Sequence, residues 1–318
     1  MSVRRSALPF PLRLVRAALR RLNIYLSRRY DSAVVHGHSS APLADVAAAE
    51  QALRTLELPN EEARAYFEKH LSRLARTITL IPPPRTSGRI LELGCYMQIT
   101  PFLETLLNYS QLRGADYGPL GECVEKTACV AGQKFSVMVD LFDAERDRFP
   151  YEDSRFETLL VCELIEHLLA DPMHLLLECR RILEEGGHLV VTTPNVGSLT
   201  SVARTLHGYD NPQIHYRYSR TPAIPHVREY TAFELKAALV AAGFEIETIL
   251  TEPIAEFAMN LPLWDFLEEH GYNTSLRGEQ TYCVAVKRAN LPVTRYPEFL
   301  YEADERVIIR TAGKEVAC

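Results

Sequence analysis

The chain has 318 residues, of which 47% are hydrophobic and 24% are charged, so it is long enough to bury a complete α/β core and carry an additional helical segment. Its formal net charge is −6, but residues 1–30 contain eight arginines and no acidic residue, which leaves −14 on the rest. An acidic body repels phosphate, which argues against a nucleic-acid partner. Seven cysteines include no CxxC pair, which favours reduced thiols of a cytoplasmic protein over zinc ligands or disulfides.

Residues 1–30 have the pattern of a basic amphipathic helix. Its apolar side chains recur at three- and four-residue spacing, while the arginines occupy mostly other faces; they are Leu12, Val15, Leu19, Leu22 and Leu26. Two interpretations stay open. The helix lies on anionic lipid as a peripheral membrane contact through residues 10–30, or it docks on the rest of the chain and leaves its arginines in water.

Residues 31–85 are predicted to form a linker followed by a helical cap. Residues 43–78 have a helical pattern that is divided near Leu58-Pro59-Asn60, and Pro82-Pro83-Pro84 ends it. Residues 89–94 then read as a first strand running into a tight turn at Gly94. Residues 112–116 read as a second strand that ends in Asp116.

Residues 139–195 alternate between strand and helix patterns. Residues 156–162 form a short apolar run that predicts a strand buried on both faces. A helix pattern follows, with Gly186 and Gly187 as its predicted C-cap, and residues 188–193 predict another strand that Pro194 ends. This alternation predicts a parallel sheet with right-handed crossovers.

At these residues the chain resembles the class I S-adenosylmethionine-dependent methyltransferases of the type 11 and type 23 groups. The resemblance rests on an ordered set of motifs over about residues 86–290: residues 149–150, 156–157, 162–168, 180–183, 186–187, 193–195, 226–231 and 242–244. It implies an α/β fold with a doubly wound, seven-stranded, mostly parallel sheet of Rossmann-like type and an N-terminal helical extension. A helix over residues 233–239 and an antiparallel strand over residues 281–287 would close that sheet, and residues 291–318 would form a surface tail.

The resemblance also implies S-adenosyl-L-methionine as the cofactor. Its contacts fall on Glu92, Gly94, Cys95, Tyr96, Asp116, Tyr117, Asp143, Ala144, Cys162 and Glu163. Asp116 would accept the ribose hydroxyls, and Asp143 with Ala144 would contact adenine. The family's turn has three glycines, because glycine lets the backbone approach the ligand closely. Here Tyr96 and Gln98 replace two of them, so a variant loop that binds the cofactor and a domain that has lost binding are both open.

The resemblance implies methyl transfer, which requires an aligned nucleophile and a base if that nucleophile is a hydroxyl. His226 is the first candidate for the base or orienting residue and His167 the second, although each fits a structural histidine as well. Glu163, Glu166 and His167 also suggest a metal site. No second acid cluster completes one, so no metal is predicted.

Residues 196–230 form an insertion rich in Tyr, His and Arg, which favours a hydroxylated acceptor and a substrate-side position. The predicted function is O-methylation of a small-molecule, glycan or lipid-linked acceptor. A non-catalytic binding module is the first alternative. A nicotinamide dehydrogenase is the second, and the glycine pattern and the closing strand argue against it.

Overall fold

The computed structural model describes residues 45–208, 225–253 and 261–301. Residues 1–30, for which the sequence predicts an amphipathic helix, lie outside these ranges, as do residues 209–224 of the insertion and residues 302–318. The described elements in chain order are α1 (Val46–Leu53), β1 (Leu56–Glu57), α2 (Glu61–Leu80), β2 (Arg89–Leu93), α3 (Thr100–Thr105), β3 (Gln111–Asp116), β4 (Cys123–Val130), β5 (Gln133–Leu141), β6 (Phe156–Cys162), α4 (Pro172–Ile182), β7 (Leu183–Pro194), α5 (Leu199–Leu206), α6 (Ala232–Ala241), β8 (Phe244–Glu252), α7 (Leu261–Glu269) and β9 (Gln280–Lys287).

One mixed sheet organises the described residues, with strand order β1-β4-β5-β3-β2-β6-β7-β9-β8. The strands β5, β3, β2, β6 and β7 are mutually parallel, and β9 runs antiparallel between β7 and β8. The α/β class, the parallel centre and the closing antiparallel strand are therefore as predicted. The predicted count of seven strands was wrong, because the described sheet has nine.

The two additional strands extend one edge of the sheet. β4 forms an antiparallel hairpin with β5 through a turn at Ala131 and Gly132, which have φ of 50° and 77°, and β1 pairs antiparallel with β4. The chain therefore passes from β3 to its parallel neighbour β5 through a strand. One face of the hairpin packs Val137 and Val139 against Cys95 and Met97.

Apolar residues pack on both faces of the sheet. On one face, α2 and α3 cover Ile90 and Leu160; on the other, α4 and α6 cover Leu91 and Leu159. Adjacent residues of β2 and β6 thus point to opposite faces, as in a strand buried on both sides. This arrangement is the doubly wound one that the sequence predicted.

The ends of the helices follow local chemistry. Asn60 caps the start of α2, because its side chain accepts a hydrogen bond from the Ala63 amide at 2.8 Å. α4 ends at Ile182, because Leu183 already pairs with Phe156 as the first residue of β7. Gly186 was therefore wrongly predicted as a helix cap: with φ of 69° it lies in β7, where the register with β6 shifts.

Residues 291–301, the described part of the predicted surface tail, lie on the surface and are fixed to the domain at two points. Tyr301 and Arg295 both contact the Asp171 carboxylate, which also caps α4, and the Thr294 amide donates to the Ala241 carbonyl at 2.7 Å. Across the described residues, no helix combines the length and the apolar character needed to cross a membrane.

Candidate functional site

The carboxyl ends of β2, β3, β5 and β6 surround a cavity of about 680 Å³, here called the sheet-edge cavity. Ligands of open α/β sheets bind at this edge. The predicted residues that line it are Gly94, Tyr96, Asp116, Tyr117, Asp143, Ala144, Glu163 and His167. Positions that are far apart in the sequence thus meet at one edge, as expected for loops that follow parallel strands.

Gly94 gives the sheet-edge cavity its open backbone surface. Its φ is 75°, in the left-handed region that favours glycine. A Cβ atom built there would have Tyr96 Cε2, 4.0 Å away, as its nearest neighbour. The space above the Gly94 backbone is therefore open to a ligand.

Asp116 and Asp143 supply carboxylates to this cavity. One Asp116 oxygen accepts the Tyr117 amide at 2.8 Å, and the other accepts Lys126 Nζ at 2.5 Å. Asp143 accepts the Glu145 amide at 2.9 Å through Oδ1, which fixes its loop. Both carboxylates are thus held in place by neighbouring donors.

A second cavity of about 910 Å³, here called the helix-side cavity, lies between α2 and the same sheet edge. Glu92, Cys162 and His226 line it, together with polar residues of α2, of the sheet and of the loops beside them: Asn60, Tyr66, Lys69, His70, Arg73, Gln98, Thr192, Glu229 and Gln280. Gly94, Tyr96, Glu163 and His167 line both cavities. The two cavities therefore share a wall made of these four residues.

Glu163 is the anchor of that wall. Its carboxylate accepts hydrogen bonds from Arg73 Nη1 at 2.6 Å, Gln280 Nε2 at 2.7 Å and Thr192 Oγ1 at 2.8 Å. Its φ is 52°, an unfavourable conformation for a residue with a Cβ. The carboxylate joins α2 to β7 and β9 across the site, and sequence analysis missed its partner Arg73 because no local pattern identifies it.

His167 and His226 meet at the helix-side cavity, with ring centroids 4.8 Å apart. The Val227 amide donates to the Glu166 carbonyl at 2.7 Å, which ties the segment of His226 to the turn of His167. His226 Nδ1 lies 2.9 Å from a Glu229 carboxylate oxygen, and this hydrogen bond is the main cause of the raised pKa of His226. Burial lowers the pKa of His167. His226 thus favours the protonated state more than His167 does.

Glu166 lies beneath the two histidines and is fully buried. Its Oε2 accepts Thr193 Oγ1 at 2.9 Å, while Oε1 has no hydrogen-bond partner and lies 4.0 Å from His167 Nε2. Burial raises the pKa of Glu166 to about 8, so the carboxyl is mostly protonated at neutral pH. Ligand atoms of Glu166, His167 and His226 lie within 4.8 Å of one another, and no metal was predicted at these residues.

We expect Glu166 to make the stability of the protein fall as the pH rises. Because its folded-state pKa is raised, the favourable contribution is complete below its ordinary value of 4.5 and is lost as the pH rises towards 8. The contribution of Glu166 to the free energy of unfolding should fall by roughly 1 kcal/mol per pH unit between pH 5.5 and 7.5. Urea unfolding of Glu166→Gln should show a pH dependence that is shallower by this amount, since Glu92, whose pKa is also raised, still contributes; the exposed control Glu125→Gln should keep the wild-type dependence. Equal slopes in all three proteins would contradict the assignment.

Two predicted cofactor residues have buried side chains below the loop. Glu92 accepts a hydrogen bond from Thr100, and burial raises its pKa to about 7. The Cys95 side chain is buried against Thr100 and lines neither cavity. Its carbonyl instead accepts Lys126 Nζ at 2.9 Å. Lys126 belongs to the unpredicted strand β4, so sequence analysis missed it.

A family comparison identifies the domain that builds this site. The methyltransferase domain family matches residues 61–249, which is more than half of the chain. The chain belongs to the methyltransferase domain family. Methyltransferases of this family use S-adenosylmethionine as cofactor, and the predicted fold class and family are thereby confirmed.

The individual relatives match only part of this chain. A protein of Mycolicibacterium smegmatis described as a probable S-adenosylmethionine-dependent methyltransferase is 31% identical over 112 residues, 35% of this chain and 37% of that protein. The ubiquinone biosynthesis O-methyltransferase of Cereibacter sphaeroides is 26% identical over 140 residues, 44% of this chain and 51% of that protein. The matches thus span about half or less of these relatives. The solved structure of a SAM-dependent methyltransferase from Archaeoglobus fulgidus superposes with a TM-score of 0.44 at 19% identity, covering 70% of this chain and 94% of that one.

Proposed function

We propose that this methyltransferase transfers a methyl group from S-adenosylmethionine to a hydroxyl oxygen of a small-molecule, glycan or lipid-linked acceptor. The observation that carries the proposal is the wall shared by the two cavities at Gly94, Tyr96, Glu163 and His167. The methyl donor in the sheet-edge cavity and the methyl acceptor in the helix-side cavity would meet at this wall. Such alignment of the reacting groups accounts for much of what a methyltransferase must do.

The sheet-edge cavity has hydrogen-bond acceptors and space that suit the cofactor. Asp116 offers carboxylate oxygens to ribose hydroxyls, and Asp143 offers them to the amine of adenine. The open backbone at Gly94 leaves room for the methionine part. Leu93, Ala115, Phe142 and Leu168 add apolar surface to the same cavity, which suits a purine ring.

S-adenosylmethionine supplies a methyl group on a positively charged sulfur. The chain must then place the acceptor oxygen in line with that carbon and remove the hydroxyl proton. We assign the proton to His226 Nε2, because Nδ1 faces the Glu229 carboxylate. His226 would take the hydroxyl proton as the acceptor oxygen gains the methyl group, and S-adenosylhomocysteine would be the product left in the sheet-edge cavity. His167, 4.8 Å away between ring centroids, would orient the acceptor.

Oxygen transfer is favoured over transfer to carbon or nitrogen by two observations. The relative from Cereibacter sphaeroides is described as an O-methyltransferase. The helix-side cavity also presents amide, phenol and imidazole groups, at Asn60, Tyr66, His70 and Gln280, and such groups hydrogen-bond hydroxylated acceptors.

Calorimetric titration with S-adenosylmethionine and S-adenosylhomocysteine tests the first half of the proposal. We expect micromolar affinity for both ligands, followed by incorporation of labelled methyl groups in a screen of hydroxylated acceptors. Absence of binding to both ligands would favour the non-catalytic binding module instead. Binding without transfer to any hydroxylated acceptor, but with transfer to amines, would refute the assignment to oxygen.

Asp116→Ala should weaken S-adenosylhomocysteine binding by about 1–3 kcal/mol, because the ribose hydroxyls lose charge-assisted hydrogen bonds. The same titration reports the loss as a higher dissociation constant. Asp153→Ala is the control, since its side chain is 71% exposed and lines neither cavity. Equal affinity of wild-type protein and Asp116→Ala would remove the ribose assignment.

A further inference from the structure

The loop that follows β2 keeps its shape with one glycine where three are expected. Gly94 and Cys95 donate their amides to the Ala115 carbonyl at 3.0 and 3.1 Å, which ties the loop to the end of β3. Met97 has φ of 64°, so a residue with a side chain occupies a backbone conformation that favours glycine. Something other than glycine freedom must therefore hold this backbone in place.

Lys126 contacts the loop and the predicted ribose carboxylate at the same time. Its Nζ donates to the Cys95 carbonyl at 2.9 Å and to Asp116 Oδ2 at 2.5 Å. The same ammonium lies 5.9 Å from the centroid of the Tyr96 ring. The side chains of Lys126 and Asp116 are 29% and 27% exposed, so the ion pair is partly shielded from water and opens onto the cavity.

The position of Lys126 is a consequence of the inserted strand. β4 is paired along its whole length with β5, and Lys126 lies opposite Val137, which packs in the same small core as Cys95 and Met97. Gly114 lets the loop after β2 and the strand β5 approach each other closely, because a Cβ at Gly114 would lie 2.9 Å from both Cys95 and Val139. The pairing of β4 with β5 thus holds the Lys126 ammonium against the loop that follows β2.

We propose that Lys126 is a cofactor-positioning residue, which fixes the glycine-poor loop and orients Asp116 for the ribose. The inference rests on the proposed placement of S-adenosylmethionine in the sheet-edge cavity. Asp116 keeps acceptor capacity for the ligand, because each carboxylate oxygen has two lone-pair sites and each is given one donor by the chain. Lys126 therefore orders the carboxylate without saturating it.

Removal of Lys126 has two opposed effects on binding. Asp116 loses a competing donor, which favours the ribose hydroxyls, but the carboxylate and the Cys95 carbonyl also lose the donor that orients them. We expect the second effect to dominate, since an ordered site avoids the cost of ordering on binding. Substitution of Lys126 should therefore weaken binding of the ligand.

Titration with S-adenosylhomocysteine of three full-length variants tests the proposal. Lys126→Met should raise the dissociation constant at least tenfold. Lys126→Arg should stay within threefold of wild type, because a guanidinium can pair with Asp116 and donate to the Cys95 carbonyl. Lys134→Met is the matched control: Lys134 is exposed on the other strand of the same hairpin, and its variant should bind as wild type does.

A double-mutant cycle distinguishes positioning from a general loss of structure. In an Asp116→Asn background, Lys126→Met should raise the dissociation constant less than it does in the wild-type background, because the ion pair is already broken and only the contact with the Cys95 carbonyl is lost. A tenfold effect in both backgrounds would overturn the proposal. If Lys126→Met does not fold, acylation of the lysines of the wild-type protein tests the proposal instead. S-adenosylhomocysteine should slow the modification of Lys126 at least threefold and leave the rate at Lys134 unchanged. Equal rates at Lys126 with and without the ligand would overturn the proposal.

These titrations distinguish a wrong placement of the cofactor from a wrong role for Lys126. Wild-type protein that does not bind S-adenosylhomocysteine would refute the placement of the cofactor, and the role of Lys126 with it. Wild-type protein that binds, with Lys126→Met binding equally well, would refute the role of Lys126 alone.

Discussion

His226→Gln should lower kcat by a factor of about 10² to 10⁴, the usual contribution of a positioned general base. Glutamine keeps much of the shape of the imidazole but cannot accept the proton of the acceptor hydroxyl. The affinity for S-adenosylhomocysteine should be unchanged, since His226 lines the helix-side cavity and not the sheet-edge cavity. The measurement is the rate of labelled methyl transfer to an acceptor identified by the screen.

The matched control is His188→Gln. His188 pairs with Thr158 in the first half of β7, away from the carboxyl edge of the parallel strands, and its variant should retain wild-type kcat. A His226→Gln protein that retains more than a third of the wild-type kcat would show that another group takes the proton or that none is needed.

The pH dependence of kcat/KM is an independent test of His226 as the general base. His226 must be neutral to act as a base, and its hydrogen bond to Glu229 raises its pKa above the ordinary 6.5. We therefore expect kcat/KM to rise with pH through a limb centred above 6.5. Glu229→Gln removes the main cause of the shift and should move that limb to lower pH, and an NMR titration of the His226 ring protons should follow it.

The sequence predicted the central strands well because their burial leaves a local pattern. Residues 156–162 coincide with β6, and every residue from Phe156 to Val161 is buried. β4 and the first part of β5 were missed because only Val137 and Val139 are buried in the two strands, which also carry many polar residues. The turn at Ala131-Gly132 between two alternating segments was the available signal.

In the site, too, residues next to a recognisable strand were predicted, and residues that depend on distant partners were not. Asp116 and Gly94 were predicted because each ends a recognisable strand, and both line the sheet-edge cavity. Lys126 and Arg73 were not predicted, since nothing near them in the sequence identifies their partners. Glu229 was not predicted either, although its partner His226 lies only three residues before it. Arg73 and Glu163 are 90 residues apart, and only packing of α2 on the sheet brings them together.

Arg73→Met should lower the free energy of unfolding by about 3–5 kcal/mol, the usual cost of removing one partner from a buried ion pair. The side chains of Arg73 and Glu163 are only 12% and 18% exposed, so the remaining carboxylate cannot be fully hydrated. Gln280 and Thr192 still donate to it, but neither supplies a positive charge.

Urea unfolding of Arg73→Met and Arg64→Met would measure this contribution on one helix. Arg64 lies 3.7 Å from Glu61, with both side chains mostly exposed, so its variant should change stability by less than about 0.5 kcal/mol. Hydrogen exchange should also accelerate in α2 of Arg73→Met, because the helix loses its link to the sheet edge. Equal stability of the two variants would mean that apolar packing of α2 alone holds the helix over the site, and that Glu163 is ordered by Gln280 and Thr192 without the arginine.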